Sequence, residues 1–306
     1  MSLRTPSTDY YRQALLNLQN VQEQMAQNTQ RLTSGNQITS PGDNPTGTAT
    51  ILDFQNSIQA NTQFLAQATA ANGLLQSAVD AIGAAIDEAN NLQVLAQSAL
   101  GAVNTTPGGM ANAAPQVEAI RANLLTLANT QFQGKYIFAG TATTTQPFTD
   151  AGPPAGAVSY QGNPGIISLG VSATAMVATN IPGSTVFSGV ANGVNSATGL
   201  FQIVNNMHTA LSNNDANGVK AAAADLSNIM GNLYQQQAAI GGRQAGLNDL
   251  QTTISGINLS LQGMQSTIQA TNYPETYTNL TNEQTQQSAI LSTMAKTNTN
   301  LFNYLG

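Results

Sequence analysis

The sequence predicts a mainly α protein, a long antiparallel coiled-coil helical bundle with a small β-rich insert at one tip. Three observations predict it. Apolar residues recur every three or four positions over residues 51–100 and again over 226–268. Charged residues make up only 7% of the chain, and Gln, Asn, Thr, Ser and Ala take their place, a surface suited to self-association. Between the two stripes, residues 136–199 hold a single charge, Asp150, among frequent Gly and Pro.

At the start, Tyr11, Leu15, Leu18, Gln22, Met25, Thr29 and Leu32 fall at seam spacing, with polar gaps. Asn44 followed by Pro45 predicts a helix start, Asn as cap and Pro in the first turn. The first strong stripe then reads Ile51, Phe54, Ile58, Asn61, Leu65, Ala68, Asn72, Leu75, Val79, Ile82, Ile86, Ala89, Gln93, Ala96 and Leu100. A repeat of 3.5 held this long describes a coiled-coil seam, on a helix roughly 80 Å long at about 1.5 Å per residue. Buried Asn in such a seam can fix register, so Asn61, Asn72 and Gln93 are either register residues or edge positions.

Asn104–Gly109 reads as a loop, and Val117, Ile120, Leu124 and Leu127 as a shorter helix stopped at Gly134. In the insert, YIFAG, AVSYQG, GIISLGV and STVF are β-prone pieces separated by turn signals. The second stripe reads Leu226, Ile229, Leu233, Gln236, Ile240, Arg243, Leu247, Leu250, Ile254, Ile257, Leu261, Met264 and Ile268. Pro274 interrupts the helix, and Tyr277, Leu280, Gln284, Gln287, Leu291, Met294, Asn298, Leu301 and Leu305 mirror the opening set. The expected layout is nested. Residues 1–44 and 273–306 form terminal helices that order on assembly, 45–135 and 200–272 form the core bundle, and 136–199 form the insert.

The chemistry expected is sparse. Lys and Arg number 8 against 14 Asp and Glu, and they are scattered, which argues against a nucleic-acid partner. The chain has no Cys, which excludes disulfides and Cys-ligated metals. No apolar run is long enough for a membrane span, and the opening residues lack the apolar core of a signal peptide. His208, the one His, has no acidic residue three or four positions away, so no metal site is expected there. Asp80, Asp87 and Glu88 fall off the seam and read as solvated, so no catalytic residue and no cofactor is expected. Arg243 falls on the seam, either lying along the helix with its head in water or forming an ion pair. The tripeptides at Asn104, Asn258 and Asn279 that fit a glycosylation acceptor are read as coincidental.

Local motifs join this nesting. QRLTSGNQITSPGDNPTGTAT, Gln30 to Thr50, is similar to a signature of the flagellin superfamily, with Arg31, Leu32, Ser34, Gly35, Ile38, Ser40, Asp43 and Pro45 at the matching places. Asn36, Gln37, Gly42 and Asn44 depart from it. ANTQFQGKYIFAGTATTTQPF, Ala128 to Phe148, with Tyr136, Phe138, Gly140, Pro147 and Phe148, resembles the hook–filament junction branch of that superfamily. IGGRQAGL at Ile240 and LFNYL at Leu301 add to the resemblance.

The resemblance implies a structural, non-enzymatic subunit that joins the flagellar hook to the filament, outside the cell. It implies a homo-oligomer ring with hook-associated protein 1 on the hook side and flagellin on the filament side. It also implies type III export with a flagellar export chaperone. The expected assembly residues are Leu15, Leu18, Met25, Leu32, Leu280, Leu291, Met294, Leu301 and Leu305. Flagellin itself is the alternative reading, and a non-flagellar secreted coiled-coil protein a third.

Overall fold

Asn44 and Pro45 start a helix as their residue types dictate. Asn44 Oδ1 accepts a hydrogen bond from Gly47 N at 2.9 Å, and Pro45 is the first helical residue. The computed structural model describes residues 5–102, 109–150, 157–170, 176–191, 194–196 and 198–305. The loop expected at Asn104–Gly109 lies, except for Gly109, outside these residues.

In order the elements are α1 (Thr5–Ser34), α2 (Pro45–Ala102), a 3-10 turn (Ala111–Ala113) and α3 (Ala114–Ala128). Strands β1 (Gln131–Phe132), β2 (Lys135–Tyr136), β3 (Phe148–Asp150), β4 (Val158–Tyr160), β5 (Ser168–Gly170) and β6 (Met176–Ala178) follow. Then come α4 (Gly183–Val186), β7 (Gly189–Ala191), β8 (Val194–Ser196), α5 (Gly199–Ser212), α6 (Ala216–Gln269) and α7 (Tyr273–Leu305). Pro274 stands in the first turn of α7, where a missing N–H costs nothing. Contacts divide the chain into two compact units, Met1–Ala60 with Gly256–Gly306, and Asn61–Ser255.

In the second unit α2 turns a near-unbroken heptad row inward: Ala68, Ala71, Leu75, Ala78, Ile82, Ala85, Ala89, Leu92, Ala96 and Ala99 are all buried. The large residues expected at alternate places differ. Ile86 is buried, whereas Asn72, Val79, Gln93 and Leu100 are only half-buried. Alanine wins these places because a small side chain lets neighbouring elements approach closely. On α6, Leu226, Ile229, Leu233, Ile240 and Leu247 are buried and Leu250 is half-buried. The two helices run antiparallel. Gln251 donates to Thr69 Oγ1 at 3.1 Å, Asn72 to Asn248 at 3.0 Å, and Gln244 to Gln76 at 3.0 Å. Each step forward on α2 is an equal step back on α6. Asn72 thus makes its cross-helix bond on an exposed edge.

The β-rich insert consists of antiparallel pairs, β3 with β4, β5 with β6 and β7 with β8, and β1 pairs with β2 just before it. Two pieces read as β-prone are otherwise. Residues 137–140 of YIFAG form turns, and STVF holds the helical turn α4, started by Pro182 and closed by Phe187 N donating to Gly183 O at 2.9 Å. Gly134 does not stop α3. It closes the β1–β2 hairpin with Gln133, both at positive φ (76° and 51°), while Asn129 terminates the helix.

An aromatic core explains the local shape. Phe148 meets Phe187 edge-on at 5.2 Å and Phe201 of α5 at 5.5 Å, and Phe138 meets Phe187 at 5.3 Å. Asn129 clamps the backbone of Phe148, accepting from its N–H at 3.0 Å and donating to its carbonyl at 2.9 Å. Gly140 has φ 69°, and a Cβ there would lie 2.0 Å from the Asn163 carbonyl oxygen. Gly140→Ala is therefore expected to destabilise the 61–255 unit by about 1–3 kcal/mol, read by urea denaturation. An unchanged midpoint would refute it.

Candidate assembly site

The terminal helices meet in the first unit. α1 and α7 pack antiparallel. Their inward rows are Ala14, Leu18, Val21, Met25, Asn28 and Leu32 on α1, and Thr276, Leu280, Glu283, Gln287, Ile290 and Met294 on α7. Both rows hold the heptad spacing. Of the residues expected to carry assembly, Leu18, Met25, Leu32, Leu280 and Met294 are half-buried in this seam. Leu15 and Leu291 stand outside it at 40% and 49% exposure, with Tyr11 at 49% and Tyr277 at 63%. The expected rows ran one position off at alternate steps, because both faces of these helices carry apolar residues. The side chains of Leu301 and Leu305 lie outside the described residues.

A backbone clasp closes the base of this pair. Gln37 N donates to Gln269 O at 2.6 Å and Thr271 N to Gly35 O at 2.9 Å, and Asn36 bridges Ala270. Beside it, Asp43 Oδ2 accepts from Thr39 N, Thr39 Oγ1 and Ser40 N, each within 3.0 Å. The backbone donors, with a smaller contribution from the charge of Arg31, hold the Asp43 carboxyl below its ordinary value of 3.8. Folded pKa is depressed, so this contribution is present above pH 3.8 and fades as pH falls through the folded value. The amide shifts of Thr39 and Ser40 should titrate with a midpoint below 3.8, and a midpoint at or above it would contradict the geometry.

Along the expected core seam, Ile51 is buried and Phe54, Ile58 and Leu65 are half-buried. Leu75, Ile82, Leu233, Ile240 and Leu247 are fully buried, Ile254 is buried and Leu261 half-buried. Ile257 is exposed, and so is Met264. After Ile254 the inward row of α6 moves to Asn258, Leu261 and Gln265, so a four-residue step replaces the expected three. Of the motif residues, Arg31 has its Nε buried with no partner found, Pro45 starts α2, Tyr136 ends β2, and Phe138, Gly140, Pro147 and Phe148 are buried in the insert.

Chemistry elsewhere is structural. Arg121 on α3 is 2% exposed and donates to Asp150 Oδ2 at 2.8 Å and Oδ1 at 2.5 Å, and from Nε to Asn205 Oδ1 at 2.9 Å. Glu118 stands 3.3 Å from it. The bonds to Asp150 raise the Arg121 pKa further. Sequence reading noted Asp150 as the lone charge of the insert and missed its partner; a lone charge in a hydrophobic stretch is itself the signal. Arg243 donates to the Asn180 carbonyl at 3.1 Å. Among the described residues no cluster of His, Asp and Glu could hold a metal, and no helix is long and apolar enough to cross a membrane.

Residues 8–143, which run from the α1 seam through the Phe138–Gly140 turns, match the family described as the bacterial flagellin N-terminal helical region. These residues are similar to a flagellin helical region. Flagellar hook-associated protein 3 of Escherichia coli (strain K12) is 24% identical over 263 residues, 79% of each chain. Among solved structures, a flagellar hook-associated protein of Vibrio parahaemolyticus superposes with TM-score 0.66 at 16% identity, over 74% of this chain and 99% of that one. The flagellar junction protein FlgL of Legionella pneumophila superposes with TM-score 0.54 at 15% identity, over 74% and 100%. The flagellin-type helical fold is thus shared.

Proposed function

We propose that this chain is a structural subunit of the bacterial flagellum, located outside the cell at the junction between hook and filament. The observation that carries the reading is the match to hook-associated protein 3 over 79% of both chains, on top of the flagellin helical region. No catalytic role is assigned to it. The α1–α7 pair is its assembly element, and the exposed Tyr11, Leu15, Tyr277 and Leu291 offer apolar surface to further copies in a ring. Hook-associated protein 1 is the partner on the hook side and flagellin on the filament side. A flagellar export chaperone holds the chain before type III export, and the terminal helices complete their order on assembly.

Purified hooks bearing hook-associated protein 1 test this. The chain should bind their ends in a small fixed number and then permit flagellin to elongate. Unlimited polymerisation of the chain alone would favour its being a bulk filament protein, and absence of binding would remove the junction role.

A further inference from the structure

Three Asn–Gly pairs occur in the sequence, at Asn72, Asn192 and Asn217. Glycine carries no Cβ, so it shields its own nitrogen least from the side chain before it. The pair at Asn192 lies outside the described residues. The other two stand in opposite surroundings.

Asn72 sits in the interior of α2, where the helical ladder takes the Gly73 N–H. It is half-buried, and its amide donates to Asn248 Oδ1 at 3.0 Å. Asn217 is the second residue of α6 and is exposed. Among the described residues its side-chain amide has no hydrogen-bond partner. The Gly218 N–H has no acceptor either, being one of the first N–H groups of the helix, which the ladder leaves unpaired. Little holds this turn. Asn217 N donates to the exposed Asp215 at Oδ1, 3.0 Å away, and Val219 N donates to Asp215 O at 3.0 Å. Packing nevertheless requires the glycine. A Cβ at Gly218 would lie 2.5 Å from Asp215 Oδ2 and 2.9 Å from Ala210 Cβ.

We propose that Asn217 is a site of spontaneous deamidation in the folded chain. The Gly218 nitrogen attacks the side-chain carbonyl carbon of Asn217. A C–N bond closes a five-membered imide, and the side-chain nitrogen leaves as ammonia, carrying the Gly218 proton. Water then opens the imide at one of its two carbonyls. One opening leaves aspartate at 217, and the other leaves isoaspartate with an extra methylene in the backbone. A carboxylate in the first turn of a helix is favourable. The extra methylene instead displaces Val219, which is fully buried. Attack requires the 217–218 peptide to turn out of helical geometry. At Asn217 that opening breaks few hydrogen bonds, all at a helix end. At Asn72 it breaks the ladder on both sides and the bond to Asn248. The reaction needs only the folded chain, whatever its role.

Ageing of the full-length protein in mildly alkaline buffer tests the site. Peptide mass spectrometry follows the amide-to-acid mass gain, and fragmentation separates Asn192 from Asn217. In the folded protein Asn217 should convert at least about tenfold faster than Asn72, the factor two further hydrogen bonds represent. In urea the two should convert at similar rates. Asp215→Ala removes the acceptor of Asn217 N, so it should speed conversion at Asn217 and leave Asn72 unchanged. The aged isoaspartate fraction should unfold at lower urea than Asn217→Asp, and coincident unfolding would contradict the displacement of Val219. Equal folded-state rates at the two sites overturn the proposal. So does an Asn217 that stays intact in the folded chain, or one whose rate ignores Asp215→Ala.

Discussion

Asp150→Asn is expected to lower the stability of the 61–255 unit by about 3 kcal/mol, the low end of what orphaning a buried ion costs. Arg121 is buried to 2% exposure, and Asp150 supplies both oxygens of a two-pronged pair on β3. Glu118 remains nearby, but it sits farther off at 3.3 Å and is itself more exposed. It cannot replace a bidentate partner, because the Arg121 fork is already oriented toward β3 and Asn205. The low end applies because Asp150 retains some contact with water. With Asn205 the pair joins three elements, α3, β3 and α5, so its loss loosens the insert from the helices around it. Arg121→Met combined with Asp150→Leu should cost much less than the two single changes summed, since no buried charge is then left unpaired. Urea unfolding of the four proteins measures this cycle. A loss below about 1 kcal/mol for Asp150→Asn would show that solvent already screens the pair.

Deletion of residues 275–306 is expected to abolish incorporation into the flagellum while leaving the 61–255 unit folded. The deletion removes α7 almost whole, and with it the inward row that packs against α1. A helix with polar gaps and no partner is marginal in water, so α1 should melt with it. The second unit keeps its own core of α2, α3, α5, α6 and the aromatic cluster. Circular dichroism should lose helix signal equivalent to the terminal pair only, and the unfolding transition of the rest should persist. Normal incorporation of the truncated chain would mean that assembly runs through the other unit.

Much of the helical architecture was legible because its signals are local. Asn44 and Pro45 mark the start of α2, Pro274 marks the break before α7, and the 3.5-residue repeat marks the long helices. Rotation about the helix axes was harder to read. On α1 and α2 the expected rows followed bulky residues at places where the observed rows take Ala14, Ala71, Ala78 and Ala85, and on α7 the observed row takes Glu283 and Ile290 in place of the expected Gln284 and Leu291. Composition cannot show that close approach favours alanine over a neighbouring leucine or valine; the partner helix decides it. For the same reason Asn28 and Glu283 were missed, each standing one position from a residue assigned to the seam. The insert was legible as β-prone but not in detail. STVF became α4 because Phe187 is drawn into a cluster with Phe138, Phe148 and Phe201, a contact set spread over more than sixty positions. Gly134 was read as a helix end, yet its positive φ, with that of Gln133, serves a two-residue hairpin.

Gold labelling of this chain on intact flagellated cells tests the assignment most directly. A single compact cluster between hook and filament is the predicted result. Gold spread along the whole filament, or confined to the cell body, would contradict it.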